Sequence, residues 1–598
     1  MSADDANVEF STGASTPEVP SPRSYILVFV SDLGAGEKLD RLTAVDKDAF
    51  AGLLESVTPT LAVALKDPLG SGPDWEFQLA FDSMKAFEPA GLLAQLPAAR
   101  WRFGVREKIV GRRQAQLTAA ELDKALEAAA GADASLAWLK QTDTAASPGR
   151  DDQARPPQVS EGASVLDMVD EPDDSARVSA EVEKLARDAG DADARVSGAE
   201  AGRLDTLLKR LDGELDQIAG AVLKHPDVRR LETAWRGLKF MIDRIDFRDT
   251  GVRLSVLHAP PEEAAGRFIE QVVNPAFEGQ IPTPGLVVFD YPYANAPAEM
   301  ERLDQLAQHA ASLPVPVVFP LEAGFFNIKG WRLLKNLPNL AGLIDSWQFA
   351  KWRSLRDQPY AKSLAPVAGR FILRAPYTAK PGSAAYGCSE SVARISDLLW
   401  AGGHLAMGIC AARAYARHGW PTRMFGAEAG KLEDLPVVDN PNDPQNPWGP
   451  GDLFLPDRRI DELPEVGVNF LQAVRNNDYC VLLGGVSAAR PVETKDTSKH
   501  QATLKISLPY QQFASVASAY LSEQLPSLRG LQPGKVQEQL VFGLAKLLGI
   551  QDESELEAVQ VGIGPHPEDA TQTVVQVRLT PPARIVPGGL HIEFGFAL

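Results

Sequence analysis

Three short apolar runs, VRLSVLH (252–258), GLVVFDY (285–291) and VPVVFP (315–320), set the strongest limit on how this chain can fold. Each is of strand length, rich in β-branched and aromatic residues, and separated from the next by a stretch of helical character. Strands that are apolar on both faces need cover on both sides. The alternation therefore predicts an α/β fold with a mixed or parallel sheet covered by helices. YILVFVSDL (25–33) reads as another buried strand, and LAVAL (61–65) and WEFQLAF (75–81) as half-buried ones, followed by a helical region to about residue 140. Further strands are expected within 466–484 and 502–508, and a helix over 392–418. The tail pieces TVVQVRLT (573–580) and GLHIEFGFAL (589–598) are strand-like but lie outside any helix-covered pattern. NVEFS near the start also alternates. Both chain ends thus offer strands, and unpaired strands invite partners.

A chain of 598 residues is too long for one core. Its composition changes between 141 and 203, where TDTAASPGRDDQARPPQ gives way to an acidic stretch holding one apolar island, SVLDMVD (164–170). Three segments follow: 1–140, an acidic Pro/Ser-rich linker over 141–203, and 204–598. The last opens on the helical stripe Leu204, Leu207, Leu208, Leu211, Leu215, Ile218 and Val222. The two outer segments are expected to fold separately.

The net charge of −19 argues against nucleic acid and anionic membrane surfaces as partners. HPDVRRLETAWRGLKF (225–240) tests that view, because Arg229, Arg230 and Arg236 could form an anion site. Yet Leu231, Trp235, Leu238 and Ile242 recur at helical spacing, and the arginines mostly fall off that stripe, where carboxylates can meet them. No run is apolar and long enough to insert in a membrane. Cys388, Cys410 and Cys480 form no CxxC pair, which fits a reducing cytoplasm. The eight histidines include no pair at metal-ligand helical spacing. GAGEK after the first strand lacks both the third glycine of a dinucleotide fingerprint and the GK[ST] of a P-loop. With no nucleophile elbow either, no catalytic, cofactor-binding or metal-binding residue is assigned. The profile favours a structural or assembly protein over an enzyme.

Several segments are familiar. HPDVRRLETAWRGLKF resembles the entry signature of the large sheath subunit of the bacterial type VI secretion system. LVVFDYPYA, WRSLRDQPY with GRFILRAPY, GWPTRMFGAEAGKLEDLPV, NNDYCVLLGG and LKISLPYQQFASVASAYL resemble later blocks of that family, in family order, over about 164–525. VSDLGAG, VDKDAFAGLL and WEFQLAFDSMKAFEPAGLLAQLP are similar to the small sheath subunit. The chain thus resembles a natural fusion of the two, with 1–140 small-subunit-like and 204–598 large-subunit-like. Beyond about residue 525 the match is poor, and KDTSKHQATLKISLPY lacks the family's Asp- and Asn-rich approach.

The resemblance implies a contractile tube that self-assembles helically around an inner tube protein and propels it, without catalysis or cofactor. It implies a cytoplasmic sheath attached to the cell envelope through a baseplate. Neighbouring protomers of the family exchange terminal strands. That role falls here to Val8 and Phe10 at one end and to Val574, Val575, Val577, Leu590, Ile592 and Phe594 at the other. The family also carries a short motif read by the AAA+ ATPase that recycles contracted sheaths. Its counterpart here is Val165, Leu166, Met168 and Val169. The alternative is a sheath-fold scaffold, cap or baseplate-associated protein that forms no long tubes.

Overall fold

The computed structural model describes residues 24–70, 72–143, 196–380, 385–495, 498–565 and 573–597. Strands are numbered in chain order. β1 (Tyr25–Ser31), β2 (Thr43–Val45), β5 (Val252–His258), β6 (Leu286–Phe289), β7 (Val317–Pro320), β8 (Leu364–Ala368), β11 (Lys431–Leu432), β12 (Asn469–Ala473) and β13 (Cys480–Leu482) form one nine-stranded sheet. Its order is β11-β13-β12-β8-β7-β6-β1-β5-β2. The central run from β12 to β5 is parallel, and only β13, β11 and β2 at the ends are antiparallel. This is the expected α/β architecture: both faces are covered and the parallel strands are largely apolar, with Arg253 of β5 the exposed exception.

The position of β1 overturns the expectation of two separately folding segments. β1 lies in the middle of the sheet, paired in parallel with β5 from Tyr25↔Val252 to Ser31↔His258 and with β6 from Leu27↔Leu286 to Val30↔Phe289. Tyr25, Leu27 and Phe29 enter the core on one face, and Ile26, Val28 and Val30 the core on the other. A strand apolar on both faces, with backbone groups open on both edges, needs partners that the first segment alone does not supply. Burying such side chains is worth about 1.5–3 kcal/mol each, roughly 10 kcal/mol for the strand.

Helices tie the segments together a second time. α1 (Pro97–Arg113) and α2 (Ala119–Ala132) pack with α3 (Gly198–Leu223) around Val105, Ile109, Leu122, Leu126, Leu207 and Leu211. α1 supplies the arginines and α3 the carboxylates: Arg102–Glu214 at 2.9 Å, Arg106–Asp212 at 2.6 Å, Arg112–Glu200 at 2.8 Å and Arg113–Asp205 at 2.6 Å. α3 begins inside the stretch read as linker, because Ser197 caps it by accepting from the Glu200 N–H at 3.1 Å. α4 (Pro226–Arg244) then carries the arginine-rich segment, with Trp235 and Leu238 fully buried on its inner face.

Two sequence expectations fail locally. The stretch 502–508 is helical: after α5 (Gly403–His418), a short helix runs Lys499–Lys505 and α6 spans Leu508–Leu528. Ser498 and Gln501 form a capping box before the first, and Ser507 with Pro509 starts the second, so local caps override the β-like composition of LKISL. Within 392–418 only α5 is an α-helix. It is preceded by β10 (Leu399–Gly402), which pairs with β9 (Arg370–Arg374) as a ribbon. β3 (Thr60–Leu65) and β4 (Trp75–Ala80) form the expected half-buried hairpin.

Candidate assembly site at the C-terminal sheet

After α7 (Pro533–Leu547) the chain forms a separate antiparallel sheet of β14 (Val559–Pro565), β15 (Thr573–Leu579) and β16 (Ile592–Ala597), in that order. Alternation sorts its faces. Three cross-strand rows point inward: Ile563–Val575–Phe596, Val561–Val577–Phe594 and Val559–Leu579–Ile592. They pack into the core that also holds Val536, Leu540 and Leu544 of α7. Burial falls off across the rows. Val575, Val577 and Leu579 are fully buried, whereas Ile592, Phe594 and Phe596 are only partly covered.

The return from β15 to β16 is anchored at several points. The Thr422 hydroxyl donates to the Ile585 carbonyl, and the Arg584 guanidinium donates to the Gly549 carbonyl at 2.9 Å. Gly588 has φ +108, and a β-carbon there would stand 2.7 Å from Leu504 Cδ1, so this bend requires glycine. The Tyr510 hydroxyl on α6 donates to the His591 carbonyl at 2.9 Å, and burial pushes that phenol up to about 12. Arg578 on β15 meets Glu593 on β16 at 2.6 Å and holds that carboxyl below its usual range.

The edges of this sheet differ. β14 is partly capped, since the Gln537 side chain of α7 donates to the Val561 carbonyl at 3.0 Å. β16 has β15 on one side and no strand on the other among the described residues. Its sequence, IEFGFA, contains neither proline nor lysine, the usual guards of an exposed edge. Three other edges are blunter. β2 and β11 are very short, and Gln95 takes both backbone groups of Ala80 on β4.

These placements revise the candidate strand residues. Val574, Val575 and Val577 lie on β15, which has a neighbour on each side within its own chain, so the expectation that this strand stands unpaired is corrected. Ile592 and Phe594 lie on the open-edged β16, and Leu590 precedes that strand. Val8, Phe10, Val165, Leu166, Met168 and Val169 lie outside the described residues. β14 went unnoticed in the sequence, although the alternation V-Q-V-G-I at 559–563 signals it.

The arginine-rich segment is structural in its contacts. Arg230 pairs with Asp32 after β1, and Arg229 donates to the Leu398 and Ser396 carbonyls. Arg236 pairs at 2.6 Å with the fully buried Glu232, which also receives Arg374 of β9 at 2.7 Å. Arg374 extends the network to Glu390 at 2.7 Å. Lys38 of GAGEK donates to the Val57 carbonyl at 2.8 Å, which fixes the turn after β1. Buried His404 stands 3.0 Å from Asp290, which in turn accepts from the Ser31 hydroxyl at 2.9 Å. Among the described residues no group of histidine, cysteine and carboxylate side chains is arranged to hold a metal.

Comparison with known proteins adds independent findings. Residues 205–489 match the family described as "EvpB/VC_A0108, tail sheath N-terminal domain", and residues 33–143 match "Type VI secretion system, VipA, VC_A0107 or Hcp2". The type VI secretion system sheath protein TssC1 of Pseudomonas aeruginosa is 27% identical over 378 residues, covering 59% of this chain and 76% of that protein. Among solved structures, the contracted helical sheath of the anti-feeding prophage matches with a TM-score of 0.30 and 10% identity, over 61% of this chain and 77% of that one.

Proposed function

We infer that this protein, which belongs to the type VI secretion sheath family and joins the small and large sheath subunits in one polypeptide, polymerises through the open edge of β16. It is a structural subunit of a contractile sheath, a helical assembly of its own copies. The observation that carries the assembly route is the unguarded edge beside a half-covered apolar row, Ile592, Phe594 and Phe596. A strand added there would extend the sheet and bury that row, which is β-augmentation. Val8 and Phe10 of a neighbouring copy supply an alternating segment suited to it.

The wider role follows from the family. The sheath surrounds an inner tube protein, starts from a baseplate at the envelope, and works in the cytoplasm. No helix among the described residues is long and apolar enough to cross a membrane. Contraction is a rearrangement of packed protomers, and the chain does its work without catalysis. Val165, Leu166, Met168 and Val169 form the segment that a recycling AAA+ ATPase would grip. Replacing Leu166 and Met168 by Asp should abolish ATPase binding to contracted sheaths, and unchanged binding would place the signal elsewhere.

Deletion of 1–13, which leaves β16 and its packing in place, tests the edge. The truncated protein should remain soluble and folded by circular dichroism, yet yield no sedimenting tubes. Normal tubes would rule out this arm as the strand added to β16.

A further inference from the structure

Between α3, the 3-10 segment Ala134–Asp143 and the loop at Leu69 lies an open cleft of about 440 Å3, lined by Trp138, Lys209, Arg210, Gly213 and Glu214 among others. Its walls are chemically divided. Leu69 and Trp138 offer apolar surface, and Lys209 and Arg210 stand as two exposed cations on adjacent positions of α3. The Arg210 guanidinium lies 3.8 Å from the centre of the Trp138 ring and reaches Glu214 at 3.5 Å. Lys209 has no ion-pair partner among the described residues. Trp138 is 9% exposed, and its indole N–H has no acceptor among those residues. A buried N–H left without an acceptor is uncommon in folded proteins. A β-carbon at Gly213 would meet nothing within 4 Å, so α3 leaves part of the cleft wall bare. An occupant that fits brings short apolar side chains, a hydrogen-bond acceptor and clustered negative charge.

We propose that the occupant is this chain's own segment Ser164–Asp174, SVLDMVDEPDD. Val165, Leu166 and Met168 seat against Trp138 and Leu69, and Asp170, Glu171, Asp173 and Asp174 face Lys209 and Arg210. Charge complementarity favours this segment, because it joins the apolar island to the acidic run that follows it. The ends of the undescribed stretch favour it too. The described chain stops at Asp143, five residues after Trp138, and resumes at Val196, just before α3. The segment starts about twenty residues past Asp143, an extended reach of up to about 70 Å. Such a tether gives an effective concentration that reaches the millimolar range for short flexible links, so a weak contact suffices. Docking here needs neither a lattice nor an ATPase, and its failure would leave the sheath assignment intact.

Hydrogen–deuterium exchange of the full chain, followed on peptides spanning 164–174, tests the proposal. The segment should exchange at least about tenfold more slowly than residues 150–160 of the same stretch. Lys209→Glu with Arg210→Glu should remove that protection, and adding Asp170→Lys with Glu171→Lys should restore it. Leu166→Asp with Met168→Asp should also remove it. Lys209 and Arg210 are exposed on α3, so their replacement should leave circular dichroism unchanged. An unprotected segment in the parent, protection indifferent to Lys209→Glu with Arg210→Glu, or protection that rises with protein concentration and so reports a second copy would each overturn the proposal.

Discussion

At the scale of single residues, the charged groups that most resemble a binding site are those most committed to holding the fold. Glu232 is shut from solvent between Arg236 and Arg374, and its loss would leave two cations in a partly buried setting. Removing one partner of a buried ion network costs about 3–5 kcal/mol, whereas an exposed pair contributes about 0–1 kcal/mol. Glu232→Ala should therefore cost several times more in urea unfolding than Asp243→Ala, which breaks the exposed Lys239–Asp243 pair on the same helix. Equal losses would deny the network its role. The helical stripe of α4 was legible in the sequence through Leu231, Trp235, Leu238 and Ile242. The partners were not, because Arg374 and Asp32 lie far from α4 in sequence and only the fold brings them near.

Among elements, those with strict periodicity were legible and those decided by their ends were not. β1, β5, β6 and β7 announce themselves as apolar runs, and β3 and β4 by alternation. LKISLPY reads as a strand until its caps are considered: Ser507 accepts from the Tyr510 N–H at 3.4 Å and donates to the Leu504 carbonyl at 2.7 Å. Loss of an N-cap costs about 1 kcal/mol. Ser507→Ala should lower stability by about that amount and Ser507→Asp should recover most of it, as read by thermal unfolding. No effect from either would mean that tertiary packing alone sets this boundary. The C-terminal strands were visible as strands, but their pairing was not. Their inner rows are complete only once β14 is recognised and the glycine bend at Gly588 turns the chain back.

For the whole molecule, the long acidic stretch suggested two independent units, and the sheet contradicts that through a single strand. Sequence periodicity shows that β1 is buried but carries no record of which strands flank it. Because β1 and the α1–α3 ion pairs join the two parts, cleavage at a site engineered within 144–163 should leave both fragments in one particle. The fragment from 196 onward, expressed alone, should fail to fold, since it lacks the strand between β5 and β6. Fragments that separate after cleavage, or a soluble folded C-terminal fragment, would refute the shared core. The central claim is that this single chain, which carries both subunit-like parts, assembles into a sheath. Negative-stain electron microscopy of the purified chain tests it most directly. The account predicts helical tubes or cogwheel-shaped rings built from this chain alone; monodisperse particles at every concentration would contradict it.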